Sequence, residues 1–276
     1  MPRLLALIAT LLLPALAAAQ TTLPASGDAA AEAVLDQTRH GEWVDIALDD
    51  GTPLHTWVVY PEVSGPAPVV IVVHEIFGMT DWVRGVADRL AAEGYVAIAP
   101  DLLSGKGPGG GNTDSFEGDA VRDAVRGLAD DEVDNRLNAA RAWALEQPST
   151  GEQFAVVGFC WGGSTAFRYA TVQPGLDAAI VYYGTAPIEV ESLRTIEAAV
   201  LGLYGGDDAR VTSTIEATEQ AMAAAQKTYE VEVYDRAGHG FLRQQDGRDG
   251  ANLAAAEAAW NRTLDFLGEH LAAGDE

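Results

Sequence analysis

Lysine, cysteine and long apolar runs are all scarce in this chain. Only Lys106 and Lys227 occur among its 276 residues, and the formal net charge is −24. So acidic a polypeptide repels phosphate backbones and anionic headgroups, which argues against nucleic-acid partners and against stable binding to a membrane surface. The acidic residues are spread along the chain, so solubility is the role they imply. The lone cysteine, Cys160, can form no intramolecular disulfide. Beyond the first twenty positions, no stretch approaches the ~20 apolar residues of a membrane-spanning helix.

The first residues differ from the rest. Arg3 precedes an apolar run from Leu4 to Leu16, broken only by Thr10 and Pro14, and Ala17, Ala18 and Ala19 follow. A basic start, a short apolar run and small residues at the end describe a secretory signal, so residues 1–19 are expected to be a cleaved signal peptide. Export to the periplasm or beyond follows from that reading; an uncleaved membrane helix is the alternative. Residues 20–41 are polar and alanine-rich and read as a linker or a loosely docked N-terminal segment. Residues 42–276 read as one domain.

From there, short β-rich runs alternate with longer helical patterns. Strands are expected at Trp43–Leu48, His55–Tyr60, Val69–His74, Tyr95–Ala99, Phe154–Gly158, Ala178–Tyr183, Val200–Tyr204 and Tyr229–Tyr234. Runs such as VVIVV and AAIVYY suit a parallel sheet buried on both faces, whereas the first two strands alternate and suit an antiparallel edge. Helical patterns fit 82–94, with Gly94 as a C-terminal cap, and Glu132–Glu146, Gly163–Val172, Thr212–Lys227 and Asn252–Leu271. The alternation predicts an α/β fold: a single doubly wound, mostly parallel eight-stranded sheet flanked by helices. The GKGPGGGN stretch at 105–112 reads as a flexible loop at the ligand-binding end of that sheet.

Four segments carry chemistry. Gly158-Phe159-Cys160-Trp161-Gly162 lies between a strand and a helix, where a sharp turn needs small neighbours and lifts the cysteine sulfur to a helix N-terminus. Ala237-Gly238-His239-Gly240-Phe241 follows the last strand, and a histidine there can take a thiol proton and return it to a leaving group. Asp207 and Asp208 follow the seventh strand, and either can orient the imidazole. The order nucleophile, acid, histidine is that of the α/β-hydrolase fold. Finally, His74-Glu75-Ile76-Phe77-Gly78 ends the third strand, where the backbone N–H groups of Ile76 and Trp161 make a natural oxyanion-hole pair. Glu75 lies beside the sulfur in this arrangement, and His74 reads as a ring packed under the loop.

These segments, with GYVAIAPDL at 94–102, VYYG at 181–184 and GLYGGDDARV, resemble the dienelactone hydrolase family over most of residues 43–270. The resemblance implies Cys160 as nucleophile, His239 as base, Asp208 in preference to Asp207 as acid, and Glu75 as a substrate-responsive acceptor of the thiol proton. It also implies Arg243 as a substrate-binding residue. The family's other carboxylate-binding arginine belongs shortly after PDL; here the stretch reads PDLLSGKGPGGG, with only Lys106 nearby. That departure, and the signal peptide, leave room for an ester other than a dienelactone, while the suitability of an enol leaving group for a cysteine nucleophile keeps a dienelactone-like substrate in play.

The expected activity is cleavage of a small-molecule ester or lactone through a thioester, by a monomer with no cofactor and no metal. The five histidines show no metal-ligand spacing. Three readings compete with it: a non-catalytic exported small-molecule binding protein on the same fold, a hydrolase of unrelated neutral esters, and a thiol redox sensor, which lacks a resolving cysteine here.

Overall fold

In the computed structural model, which describes residues 23–187 and 189–271, period-two burial organises the centre of the molecule. Along the third strand Val69, Ile71 and Val73 face one apolar layer and Val70 and Val72 the other, all fully buried. Each such side chain contributes roughly 1.5–3 kcal/mol by leaving water, and both faces must be covered by helices to collect it. The expected signal peptide lies outside the described residues.

The strands are β1 (Gly41–Ala47), β2 (Pro53–Val59), β3 (Ala67–Val73), β4 (Val96–Pro100), β5 (Thr150–Phe159), β6 (Ala178–Tyr182), β7 (Ala199–Gly205) and β8 (Tyr229–Tyr234). They form one sheet in the order β1-β2-β4-β3-β5-β6-β7-β8. Pairing is parallel from β4 to β8, and β2 runs antiparallel to both β1 and β4. All eight expected strands are present, including the antiparallel edge. The helices are α1 (Ala30–Leu35), α2 (Asp81–Ala92), α3 (Ala120–Arg126), α4 (Asp130–Leu145), α5 (Trp161–Val172), α6 (Val190–Leu193), α7 (Ala209–Thr212), α8 (Ile215–Ala225) and α9 (Ala251–His270). None of the described helices is long and apolar enough to cross a membrane.

Gly94 (φ +99°) ends α2 as expected: its N–H reaches Ala91 O and the Tyr95 N–H reaches Leu90 O, the paired bonds of a Schellman cap. Two expectations need correction. The helix anticipated at 212–227 is shorter, running Ile215–Ala225: Thr212 ends the separate turn α7, and the Thr212 and Thr214 hydroxyls bond the carbonyls of Asp208 and Val211 at the break. The glycine-rich stretch at 105–112 closes on itself through a Gly107–Gly111 bridge, and none of its residues lines the cavity at the strand ends.

The segment before β1 has specific contacts. Arg39 donates both to Oδ1 and to Oδ2 of Asp88 on α2, at 3.0 and 2.9 Å. The Gly27 N–H donates to Arg243 O at 2.8 Å, and Gln245 Nε2 to Pro24 O at 2.8 Å.

Candidate active site

Cys160 sits where β5 turns into α5, and its backbone (φ +57°, ψ −114°) is in a region that non-glycine residues avoid. Holding it there costs about 1–3 kcal/mol, which close packing of the surrounding glycines must sustain. A side chain at Gly158 would collide with the Gly162 carbonyl, and one at Gly162 with the carbonyls of Val73 and His74. The elbow and the end of β3 are thus in backbone contact.

Three more strand ends converge on the same place. After β7, Asp208 is buried, and its Oδ2 lies 2.5 Å from Nδ1 of His239, which follows β8. A carboxylate only accepts, so Nδ1 carries the proton and Nε2 is left for other chemistry. Asp207 instead faces solvent and pairs with Arg248 at 3.0 Å. After β6, Tyr183 is buried with a strained φ of +42°, its ring set edge-on to His239. Its hydroxyl has no hydrogen-bond partner among the described residues.

A cavity of about 570 Å³ opens above these ends, lined by Glu75, Ile76, Cys160, Trp161, Tyr183, His239 and Arg243 among others. Its size suits a small ligand. Every residue expected at the site therefore lies in its wall, except Asp208, which stands behind His239. The wall also carries Arg126 from the end of α3 and Arg210 from α7. Neither was anticipated. Lys106 turns away and pairs with Glu132 at 2.7 Å.

Burial is the largest influence on the two titrating groups at the centre. It pushes the Cys160 thiol up, and the nearby Glu75 charge pushes it further, against the Trp161 backbone N–H and the Arg210 and Arg243 cations. The N-terminus of α5 favours thiolate, but desolvation wins and the resting thiol is protonated. Burial likewise raises Glu75, although Arg243 Nε donates to Glu75 Oε2 at 2.5 Å and its charge opposes the shift. Arg243 is further fixed over the Phe77 ring, 4.8 Å from its centroid.

One cluster of potential metal ligands occurs among the described residues: Glu230, Glu269 and His270. Glu230 is near the amino-terminal end of β8, opposite the cavity, and both carboxylates already pair with Arg262.

Residues 54–271 match the model of the dienelactone hydrolase family. A Yersinia pestis protein named "Putative carboxymethylenebutenolidase" is 36% identical over 231 residues, covering 80% of this chain and 85% of that one. A protein of the same name from Escherichia coli K12 is 35% identical over 217 residues, covering 75% and 79%. The crystal structure titled "Putative Dienelactone Hydrolase" from Klebsiella pneumoniae superposes with a TM-score of 0.74 at 31% identity, covering 84% of this chain and all of that one. The fold is that of the α/β-hydrolases, shared also with an acylaminoacyl peptidase of Pyrococcus horikoshii at 16% identity and a TM-score of 0.68, over 87% of this chain and 43% of the peptidase. On the extent of these matches, the chain belongs to the dienelactone hydrolase family and is a hydrolase of its ester- and lactone-cleaving type.

Proposed function

We propose that the protein is an exported hydrolase of small carboxylic esters or lactones, working through a Cys160–His239–Asp208 triad and a thioester acyl-enzyme. The observation that carries this reading is the 2.5 Å Asp208–His239 bond in a cavity whose wall also holds Cys160. It orients an imidazole that can move protons at the sulfur and at the substrate. Export is argued from the composition of residues 1–19 alone, and a single chain is taken as the working unit.

The cycle begins with a protonated thiol. An anionic substrate group competes with Glu75 for Arg243, freeing the Glu75 carboxylate to accept the thiol proton. The sulfur then attacks the carbonyl, forming a C–S bond while the π electrons move onto oxygen, which the Ile76 and Trp161 N–H groups receive. The oxyanion collapses, the C–O bond to the leaving group breaks, and the alkoxide or enolate takes the proton held by Glu75, which returns to its carboxylate form. His239 takes a proton from water, the resulting hydroxide attacks the thioester carbonyl, the C–S bond breaks, and the imidazolium proton passes to the departing sulfur, restoring the thiol. No step needs a metal or organic cofactor. An activated leaving group such as an enol suits a cysteine nucleophile, and Arg126 and Arg210 add positive charge to the same wall.

The test is hydrolysis by the purified protein of activated aryl esters and of an enol-lactone bearing a carboxylate, each repeated with Cys160→Ala. Cys160-dependent turnover supports the reading, with preference for the charged lactone if the arginines anchor it. Turnover of neither class by folded, reduced protein overturns it in favour of a binding role. Cell fractionation with N-terminal sequencing tests export; protein retained in the cytoplasm with Met1 intact refutes that part.

A further inference from the structure

His74 is fully buried beneath the Glu75–Gly78 turn. Its Nδ1 lies 2.7 Å from the Glu75 carbonyl oxygen. A carbonyl only accepts, so Nδ1 donates, and burial holds the imidazole in its neutral form. The Gly78 N–H reaches the same oxygen at 3.2 Å.

That carbonyl belongs to the peptide group whose other polar end is the Ile76 N–H. No described peptide bond is cis, and in a trans peptide the N–H points opposite to the C=O. A carbonyl drawn toward the imidazole therefore turns the Ile76 N–H away from it. Ile76 lines the cavity with Cys160, and its N–H has no hydrogen-bond partner among the described residues. An unpaired backbone donor in a cavity wall marks a place for an incoming acceptor. The same ring also stacks on the Trp161 indole, with centroids 5.6 Å apart and planes 17° from parallel. Trp161 supplies the backbone N–H beside the sulfur.

We propose that His74 is a positioning residue for the oxyanion hole: one buried ring orients the Glu75–Ile76 peptide through its carbonyl and braces Trp161 against it. This rests on the acyl-transfer reading above. It assigns to His74 a task on the reaction coordinate, beyond packing, although His74 touches no reacting atom.

The test separates two reactions of the same sulfur. Acylation by an activated aryl ester passes through an oxyanion, whereas alkylation by iodoacetamide forms the S–C bond as iodide leaves and places no new charge in the hole. Removing one oxyanion donor typically costs 10²–10³ in rate, so loss of its alignment is expected to cost about 10–100-fold. His74→Phe keeps the stacked ring and loses the donor; it should slow the acylation burst by that factor and leave alkylation within about twofold of wild type. His74→Asn, which carries an N–H donor at similar reach, should recover most of the acylation rate. His74→Leu is a second donor-free variant should the phenylalanine fail to fold. Equal loss in both reactions, or unchanged acylation in a donor-free variant, overturns the proposal. Absence of Cys160-dependent acylation in the wild type instead overturns the underlying hydrolase reading, and this inference with it.

Discussion

Arg243 reaches across 168 positions of sequence to place Nε 2.5 Å from Oε2 of Glu75, and this ion pair shares a cavity wall with Cys160. The arginine proposed as a substrate anchor is therefore already engaged in the resting protein. Its partner is a buried carboxylate whose charge adds to burial in raising the Cys160 thiol. A substrate anion that takes Arg243 alters both groups at once.

Glu75→Gln removes the charge that raises the Cys160 thiol. Iodoacetamide should then alkylate Cys160 faster at pH 7, and the midpoint of the alkylation pH profile should fall. Ester turnover should nevertheless drop, since the proposed proton acceptor is gone. A slower alkylation would contradict the electrostatic account.

The same residue gives a stability profile of definite sign. Burial raises the folded-state pKa of Glu75 above its unfolded value, Arg243 notwithstanding. Its favourable contribution is thus fully present below the unfolded carboxyl range and is lost as pH climbs through the raised value. Thermal midpoints of wild type and Glu75→Gln should lie closest in acid and diverge toward neutrality, with the glutamine variant the more stable there. Divergence in the opposite direction would mean that the Arg243 pair outweighs burial.

Asp208→Asn should lower kcat by about 10²–10⁴-fold, because an amide no longer fixes the imidazole tautomer or supports its cation. Asp207→Asn should alter kcat by less than about threefold, since Asp207 meets only the exposed Arg248. Steady-state assays of the pair decide which aspartate acts, and comparable losses would refute the assignment.

Tyr183→Phe should raise thermal stability. The hydroxyl is buried without a partner among the described residues, and leaving such a group unpaired costs roughly 1–3 kcal/mol. Calorimetry of the two proteins measures the change; a lower midpoint would reveal a partner for the hydroxyl.

Gly27→Val tests the segment before β1, which lies outside the family match. A Cβ at Gly27 would stand 2.8 Å from Cγ of Arg243, so the larger side chain must displace that stem. KM for a carboxylated substrate should rise by about 3–10-fold while turnover of a neutral ester changes little, the size expected for one weakened charge-assisted bond. An equal effect on both substrates would show that Gly27 matters only for folding.

Much of this site could be read from the sequence because its key residues sit at strand ends. Buried parallel strands advertise themselves as apolar runs such as VVIVV and AAIVYY; the elbow and the acid follow two such strands, and the histidine follows the alternating edge strand YEVEVY. Arg126 is not legible in the sequence, whereas Arg210 is. Arg126 ends the seven-residue helix α3, too short to show clear periodicity, and only tertiary packing brings it to the cavity. Arg210 lay in plain view two residues after Asp208, and an arginine so close to the acid in so acidic a chain was the available signal. The role argued for His74 depends on the direction of one carbonyl, which no spacing rule encodes.

The measurement that bears most directly on the central claim is trapping of the acyl-enzyme. Protein mixed with a slowly deacylating activated ester and quenched in acid should gain the mass of one acyl group. Peptide mapping should place that group on Cys160, release by hydroxylamine should identify a thioester, and Cys160→Ala should show neither adduct nor turnover. Full turnover by Cys160→Ala, or an acyl group carried by another residue, would contradict the account.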